Sequence, residues 1–223
     1  MHAVRVLRCR AGDEIQVVDG AGHWYRVCLN HVQKNTVIGT VLERRVGVNE
    51  PSAQLHIGLA LLKSRQRFEV FLEKAVELGV TAITPLITER TEARSFRVQR
   101  ARRILVAAMK QCRRCHLPRL SVPRPLDEVL MEEGSVLRCI AHQGPYPSLL
   151  EAVAGQELRG VSVLVGPEGG YTEEEVRYAR GAGYTAVSLG ARRLRSETAA
   201  IACASPVNTP RALGARRLST SGV

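Results

Sequence analysis

Strand-like and helix-like patterns alternate through most of this chain, and they predict an α/β protein: a mostly parallel sheet with helices on both faces, preceded by a small β-rich segment. Three observations carry that expectation. From residue 55 onward, short apolar runs of strand length recur, with helix-period stretches between them. Two of these runs pass straight into glycine turns that open helices, at Gly166–Gly170 and at Leu189–Thr198. Residues 1–48 instead read as short strands around a turn signal, with no helical stripe.

In order, Glu14–Val18, Trp24–Leu29 and Thr36–Leu42 are strand candidates, and Asp19-Gly20-Ala21-Gly22 is a hairpin signal between the first two. Three short strands do not close a barrel, so the segment either leans on the rest of the chain or has more strands upstream. Residues 47–52, with Pro51, read as a linker. Leu55–Leu62 is a buried-type strand. Phe68, Phe71, Leu72, Ala75 and Val76 then form the core stripe of a helix, and Gly79 supplies its stop. Val80–Ile87 is the next strand. The helix over 98–113 has Ala101, Ile104, Leu105, Ala108 and Met109 on its apolar side, with Arg100, Arg103, Lys110 and Arg114 on a separate stripe. Val136–Ala141, ending at His142, then Val161–Val165 and Ala186–Leu189, complete about five strands. A last helix should end near Ala204, because Pro206 cannot continue it. The expected organisation is a β-domain over 1–48, an α/β domain over 53–204 and a tail over 205–223.

The 223 residues carry a net charge of +11, which favours a polyanionic partner. The distribution says more than the sum. Between Glu92 and Asp127 there is no acid, while ten arginines and lysines are present, a field suited to nucleic-acid phosphates. No run approaches a membrane span, and the N-terminus lacks the apolar region of a signal peptide, so a cytoplasmic protein without membrane attachment is expected. The six cysteines are scattered, as in a reduced compartment. Cys112-Arg-Arg-Cys115-His116 has the spacing of a haem-attachment motif, but that chemistry needs export; no second pair completes a zinc site, and free thiols are expected. Dinucleotide, P-loop and nucleophile-elbow motifs are all absent.

The two glycine turns mark a ligand site. Gly166, Gly169 and Gly170 let a ligand lie against the main chain, and Thr172 with Glu175 has capping-box spacing. Arg192, Arg193 and Arg195 surround Leu194 in the second turn, and Ser196 or Thr198 can cap the helix that follows.

At Gly166-Pro-Glu-Gly-Gly170 and Leu189-Gly-Ala-Arg-Arg-Leu-Arg-Ser-Glu-Thr-Ala199 the chain resembles one family: the bacterial methyltransferases that act on N3 of uridine 1498 in 16S rRNA, within the knotted SPOUT superfamily. Leu59–Lys63, Glu73–Val80, Pro85–Arg90 and Gln111–Arg114 with Leu117-Pro118 also match. Arg5–Arg8, Gly12-Asp13 and Asp19-Gly20 match its N-terminal PUA-like barrel. The resemblance spans roughly residues 2 to 204 and implies a partial PUA-like RNA-binding domain, here starting inside the barrel, before a trefoil-knotted domain. It further implies S-adenosylmethionine as cofactor, 16S rRNA of the small ribosomal subunit as partner, a homodimer, and no metal. Carried onto this sequence, the cofactor would be held by His142, by Gly166, Pro167, Glu168, Gly169 and Gly170, and by Leu189, Gly190, Leu194, Arg195, Ser196 and Thr198. Arg195 is the candidate for stabilising an anionic uracil, and Glu197 for accepting a proton or making a structural contact. RNA is expected on Arg100, Arg103, Lys110 and Arg114, on Arg5, Arg8 and Arg10 of the barrel, and on Lys63 and Arg65. The family's basic motif usually has glycine where Arg113 stands, and its last helix stays apolar beyond Ala204. A non-catalytic RNA-binding relative, or a methyltransferase of another RNA position, are the alternatives.

Overall fold

The computed structural model describes residues 9–33, 36–93, 95–132, 136–154 and 159–208, with side chains through 205. Strands β1 (Glu14–Val18), β2 (His23–Val32) and β3 (Val37–Val46) form an antiparallel sheet in the order β1-β2-β3. The turn between β1 and β2 is fastened by Asp19, whose carboxylate accepts from the main-chain N–H groups of Ala21 and His23 and from the His23 ring. The His23 hydrogen bond, with those two N–H groups, holds the Asp19 carboxyl down at about 2. Both longer strands outrun their sequence boundaries, and two register shifts along the β2–β3 ladder accommodate the extra length.

The expected linker at 47–52 is a junction instead. Glu50 Oε1 accepts from the N–H groups of Cys115 and His116, while Oε2 accepts from Arg114 Nε and Nη2. Arg114 Nη1 donates to the carbonyls of Val76 and Val80. Burial alone would push the Glu50 carboxyl up, but these donors, Arg114 first, outweigh it and the carboxyl titrates below its ordinary value. The segment after Arg114 then pairs with the first turn: Gly22 N–H donates to Cys115 and Leu117 N–H to Gly20. The small sheet is thereby held against the larger domain.

That domain is built on a seven-stranded parallel sheet. Its strands are β4 (Gln54–Ala60), β5 (Ala82–Ile87), β6 (Arg119–Leu120), β7 (Arg124–Pro125), β8 (Leu137–Ala141), β9 (Gly160–Val165) and β10 (Thr185–Val187). The order is β10-β8-β9-β4-β5-β6, with β7 also on β5. Side-chain alternation sends each strand's apolar residues to two cores. Leu55, Ile57, Leu59, Ile83, Cys139, Val161, Val163 and Val165 face one side. There they meet α1 (Arg65–Glu77), α2 (Val98–Cys112), α4 (Leu149–Val153) and α6 (Ser196–Asn208). Ala60, Leu86, Ile140 and Leu164 face the other side, under α3 (Leu126–Leu130) and α5 (Glu173–Gly181). Helices on both faces of a parallel sheet are what the alternating pattern predicted. The two-residue strands β6 and β7 and the one-turn helices α3 and α4 are too short to carry a period, and sequence reading missed them.

Three local details matter later. Ser64 caps α1 by accepting from Arg67 N–H, and Gly79 follows its last turn with φ +82°. Helix α2 ends where Arg113 takes the left-handed conformation, φ 59°, a position that glycine fills without a Cβ penalty. Helix α6 runs through Pro206 to Asn208, past the stop expected at Ala204. Pro206 has no N–H to donate, so the helix continues through it at the cost of one main-chain hydrogen bond.

His56 on β4 sits in the sheet's centre, between Ser162 Oγ on β9 at 2.8 Å and Thr84 Oγ1 on β5 at 2.9 Å. Burial pushes its pKa down to about 4, so the ring is neutral.

Candidate active site

The carboxyl ends of the adjacent strands β8, β9 and β10 open into a cleft of about 630 Å³. Its walls are the three loops that follow those strands, with His142, Gly166–Gly170 and Leu189–Ser196 among the lining residues. Ala141, Val165, Leu189, Leu194 and Ala199 give it an apolar floor; Arg90, Arg192, Arg193 and Arg195 give it a cationic rim. Glycine is required at two points. Gly170 and Gly190 have φ of +68° and +103°, and no atom lies within 4 Å of where a Cβ would stand. The main chain is bare there. Gly166 is needed for packing instead, because a Cβ would lie 3.2 Å from Gly170 and Tyr171.

The glycine turn is anchored from the loops that follow β4 and β5. Glu168 Oε1 accepts from Lys63 N–H just beyond β4. Arg90, beyond β5, donates from Nη1 to the carbonyls of Gly169 at 2.8 Å and Tyr171 at 3.3 Å. Thr172 and Glu175 form the expected capping box at the start of α5, and the second Glu175 oxygen accepts from Glu89 N–H. Loop geometry that could have been soft is thus fixed by side-chain bonds to the sheet.

Of the residues predicted to hold a cofactor, eleven lie on the cleft: His142, Gly166, Pro167, Glu168, Gly169, Gly170, Leu189, Gly190, Leu194, Arg195 and Ser196. Thr198 does not line it and is exposed. Helix α6 begins at Ser196, so Ser196 is its first residue rather than its cap. Arg195 faces the cleft and makes no ion pair among the described residues. Glu197, expected as a proton acceptor or a structural contact, fits the contact. It is buried and does not line the cleft; one oxygen lies 3.6 Å from Arg67 Nε of α1 and the other has no hydrogen-bond partner. Arg195 stands just before the helix on the cleft side, whereas Glu197, inside its first turn, points away from the cleft toward α1. Its carboxylate rests in the positive end of α6. Arg90 and Tyr171 belong to the cleft and were missed as site residues. Only the side chain after a strand end, Arg90 after β5, could have flagged the first.

The basic residues divide. Arg103 and Lys110 project from α2 into solvent, and Arg10 is exposed. Arg100 is also exposed but pairs with Glu69. Lys63 pairs with Glu92 at 2.9 Å, and Arg65 donates to Ser95 Oγ. Arg5 and Arg8 lie outside the described residues. Arg114 is a correction: it follows the end of α2, and its guanidinium is buried and committed to Glu50 and two carbonyls, so it is no phosphate ligand. Of the cysteine pair beside it, Cys115 is buried with its thiol donating to Val48 O, and burial raises its pKa.

Comparison with known proteins adds two domain families: an RNA methyltransferase domain over residues 49–208 and an RNA methyltransferase PUA domain over residues 2–42. The chain is similar to the ribosomal RNA small subunit methyltransferase E of Synechocystis, 34% identical over 92% of this chain and 68% of that protein. It is similar to the protein of the same name in Rickettsia conorii, 27% identical over 90% of this chain and 83% of that one. Among solved structures, the ribosomal RNA small subunit methyltransferase E of Neisseria gonorrhoeae bound to S-adenosyl methionine superposes with a TM-score of 0.84. That protein is 32% identical, and the match covers 92% of this chain and 86% of that one.

Proposed function

The chain belongs to the RNA methyltransferase family, and from that footing we propose that it transfers the methyl group of S-adenosylmethionine to N3 of uridine 1498 in 16S rRNA of the small ribosomal subunit, as a cytoplasmic homodimer. The observation that carries this reading is the cleft at the ends of β8, β9 and β10, with bare glycine main chain, an apolar floor and an arginine rim. Its volume of about 630 Å³ falls within the range for small-molecule sites.

S-adenosylmethionine suits this donor set and supplies a methyl group on a positively charged sulfur, ready for in-line displacement. The floor of Ala141, Val165, Leu189, Leu194 and Ala199 would take the adenine, and the main chain at Gly170 and Gly190 would lie against the ligand. Uracil N3 carries a proton and must give it up to solvent water to become a nucleophile. Arg195, with no ion pair among the described residues and facing the cleft, stabilises the resulting anion, while Arg192 and Arg193 at the mouth meet phosphate. Glu197 holds α6 against Arg67 and takes no part in proton transfer. Arg103 and Lys110 on α2, with Arg10 of the small sheet, position the RNA.

Calorimetry with S-adenosylmethionine, followed by mass spectrometry of nucleosides from small subunits incubated with the protein, tests the reading. Binding and 3-methyluridine at a single position are expected. A methyl group on any other nucleotide would reassign the target, and no cofactor binding would end the proposal.

A further inference from the structure

Beyond the cleft, a second concavity of about 510 Å³ lies along the outer edge of β10, lined by Tyr146, Pro147, Arg177, Arg180, Tyr184, Thr185 and Ala186. Only the loop after β8 separates the two. His142 lines the cleft and Tyr146 lines the groove, with their rings 6.1 Å apart. The groove therefore begins where the cleft wall ends.

Its chemistry is that of a nucleic-acid track. Arg180 makes no ion pair among the described residues. Among the described residues Arg177 pairs with Glu174 alone, at 3.3 Å, with side chains 79% and 80% exposed, a pair too weak to compete with a phosphate. Tyr184 forms the back wall, held by the Arg138 guanidinium stacked 5.0 Å from its ring centre. Tyr146 is half-buried at the end nearest the cleft. An accessible aromatic ring beside weakly held arginines in an open groove is how single strands are held. A peptide adding to the edge of β10 fits less well, because that edge is three residues long and Pro147–Leu149 closes it at Ser188, just past its end: Ser188 N–H donates to Pro147 O and Leu149 N–H to Ser188 O.

The reaction itself asks for such a track. N3 of uracil lies on the base-pairing edge, so the target must be unpaired and drawn out of its stack, and its neighbours are splayed with it. We propose that this groove holds the single-stranded nucleotides next to the target, with a base against Tyr146 and phosphates on Arg177 and Arg180. The proposal rests on the reading that RNA is the substrate, and it extends the RNA surface to a face of the protein opposite in sheet order to the α2 stripe.

The test uses the full chain carrying Arg177→Gln with Arg180→Gln, the corresponding pair of glutamate substitutions, and Tyr146→Ala. Methyl transfer to unmethylated small subunits and to protein-free 16S rRNA is measured against RNA concentration. For the arginine pairs, KM for RNA should rise about tenfold and the slope of log affinity against log salt should fall by about two, one for each phosphate that is no longer neutralised. Cofactor affinity and kcat at saturating RNA should hold. Tyr146→Ala should raise KM by about tenfold because the base has no ring to stack on, and Tyr146→Phe should restore it. Unchanged KM and salt slope in the arginine pairs overturn the proposal. So does an effect seen on intact subunits but not on protein-free RNA, which would make the groove's partner a ribosomal protein. If the glutamate pair fails to fold, the glutamine pair decides. A wild-type protein that methylates no uridine sinks the functional reading instead, and RNA binding by the same variants without cofactor still judges the groove.

Discussion

Acid should weaken this fold through one side chain, and the size of the effect can be worked out. His56 is neutral between Ser162 and Thr84, with its pKa lowered by burial from 6.5 to about 4. In the unfolded chain it titrates near its ordinary value. Between pH 6.5 and pH 4 the unfolded state therefore takes up a proton that the native state refuses, and stability falls as pH falls. That gap between the two states corresponds to roughly 3 kcal/mol when complete. Going only from pH 7.5 to pH 5, the loss is about 2 kcal/mol. That window separates His56 from the lowered carboxyls, such as Asp19 and Glu50, whose contributions are lost at lower pH. Urea denaturation followed by circular dichroism at both pH values measures the difference. His56→Gln should be less stable at pH 7.5, because two buried hydroxyls lose a well-shaped partner, yet its stability should change little down to pH 5. Equal pH slopes in wild type and variant would refute the argument.

Four further outcomes follow from the geometry. Arg195→Ala should lower kcat by about a hundredfold while leaving S-adenosylmethionine affinity nearly intact, as read by single-turnover kinetics and calorimetry; full turnover would remove Arg195 from the chemistry. Arg114→Ala leaves Glu50 buried without its partner and should cost about 3–5 kcal/mol in denaturant unfolding, far more than loss of a surface cation. Replacing Arg103 and Lys110 by glutamate should weaken RNA binding and flatten its salt dependence with no loss of stability; an unchanged salt slope would remove the α2 face from the RNA path. Arg113→Gly relieves a left-handed φ of 59° and should raise the thermal midpoint, by an amount equivalent to about 0.5–1 kcal/mol.

Much of the architecture could be read from residue patterns, and the failures have definite causes. The stripe from Phe68 to Val76 and the strand from Val161 to Val165 appear where their periods placed them, because burial on one face or two leaves a strong signature. The glycine turns were legible because few other residues tolerate a bare, positive-φ main chain. Arg114 misled because spacing cannot tell a solvent stripe from a residue just past a helix end, where the chain folds inward to meet Glu50 from 64 positions away. For Glu197 the choice between proton acceptor and structural contact was not legible, because closeness to Arg195 in sequence says nothing of which side of the helix start a side chain takes. Arg90 was hidden as a site residue because its role depends on carbonyls of Gly169 and Tyr171, and main-chain acceptors leave no mark in a sequence.

The placing of β9 has a consequence for how the chain is made. It lies between β4 and β8, with Gln54 opposite Gly160, and α6 packs on β4, β9 and α1 from still later in the chain. At ordinary rates of synthesis, about 5–20 s separate β4 from the neighbour that completes it. During that interval Leu55, Ile57 and Leu59 have β5 on one side and an open edge on the other. Closure is a late, slow event dominated by pairings distant in sequence. The strand at the middle of the sheet is thus made after both of its neighbours, so an rRNA methyltransferase closes its own sheet from the inside.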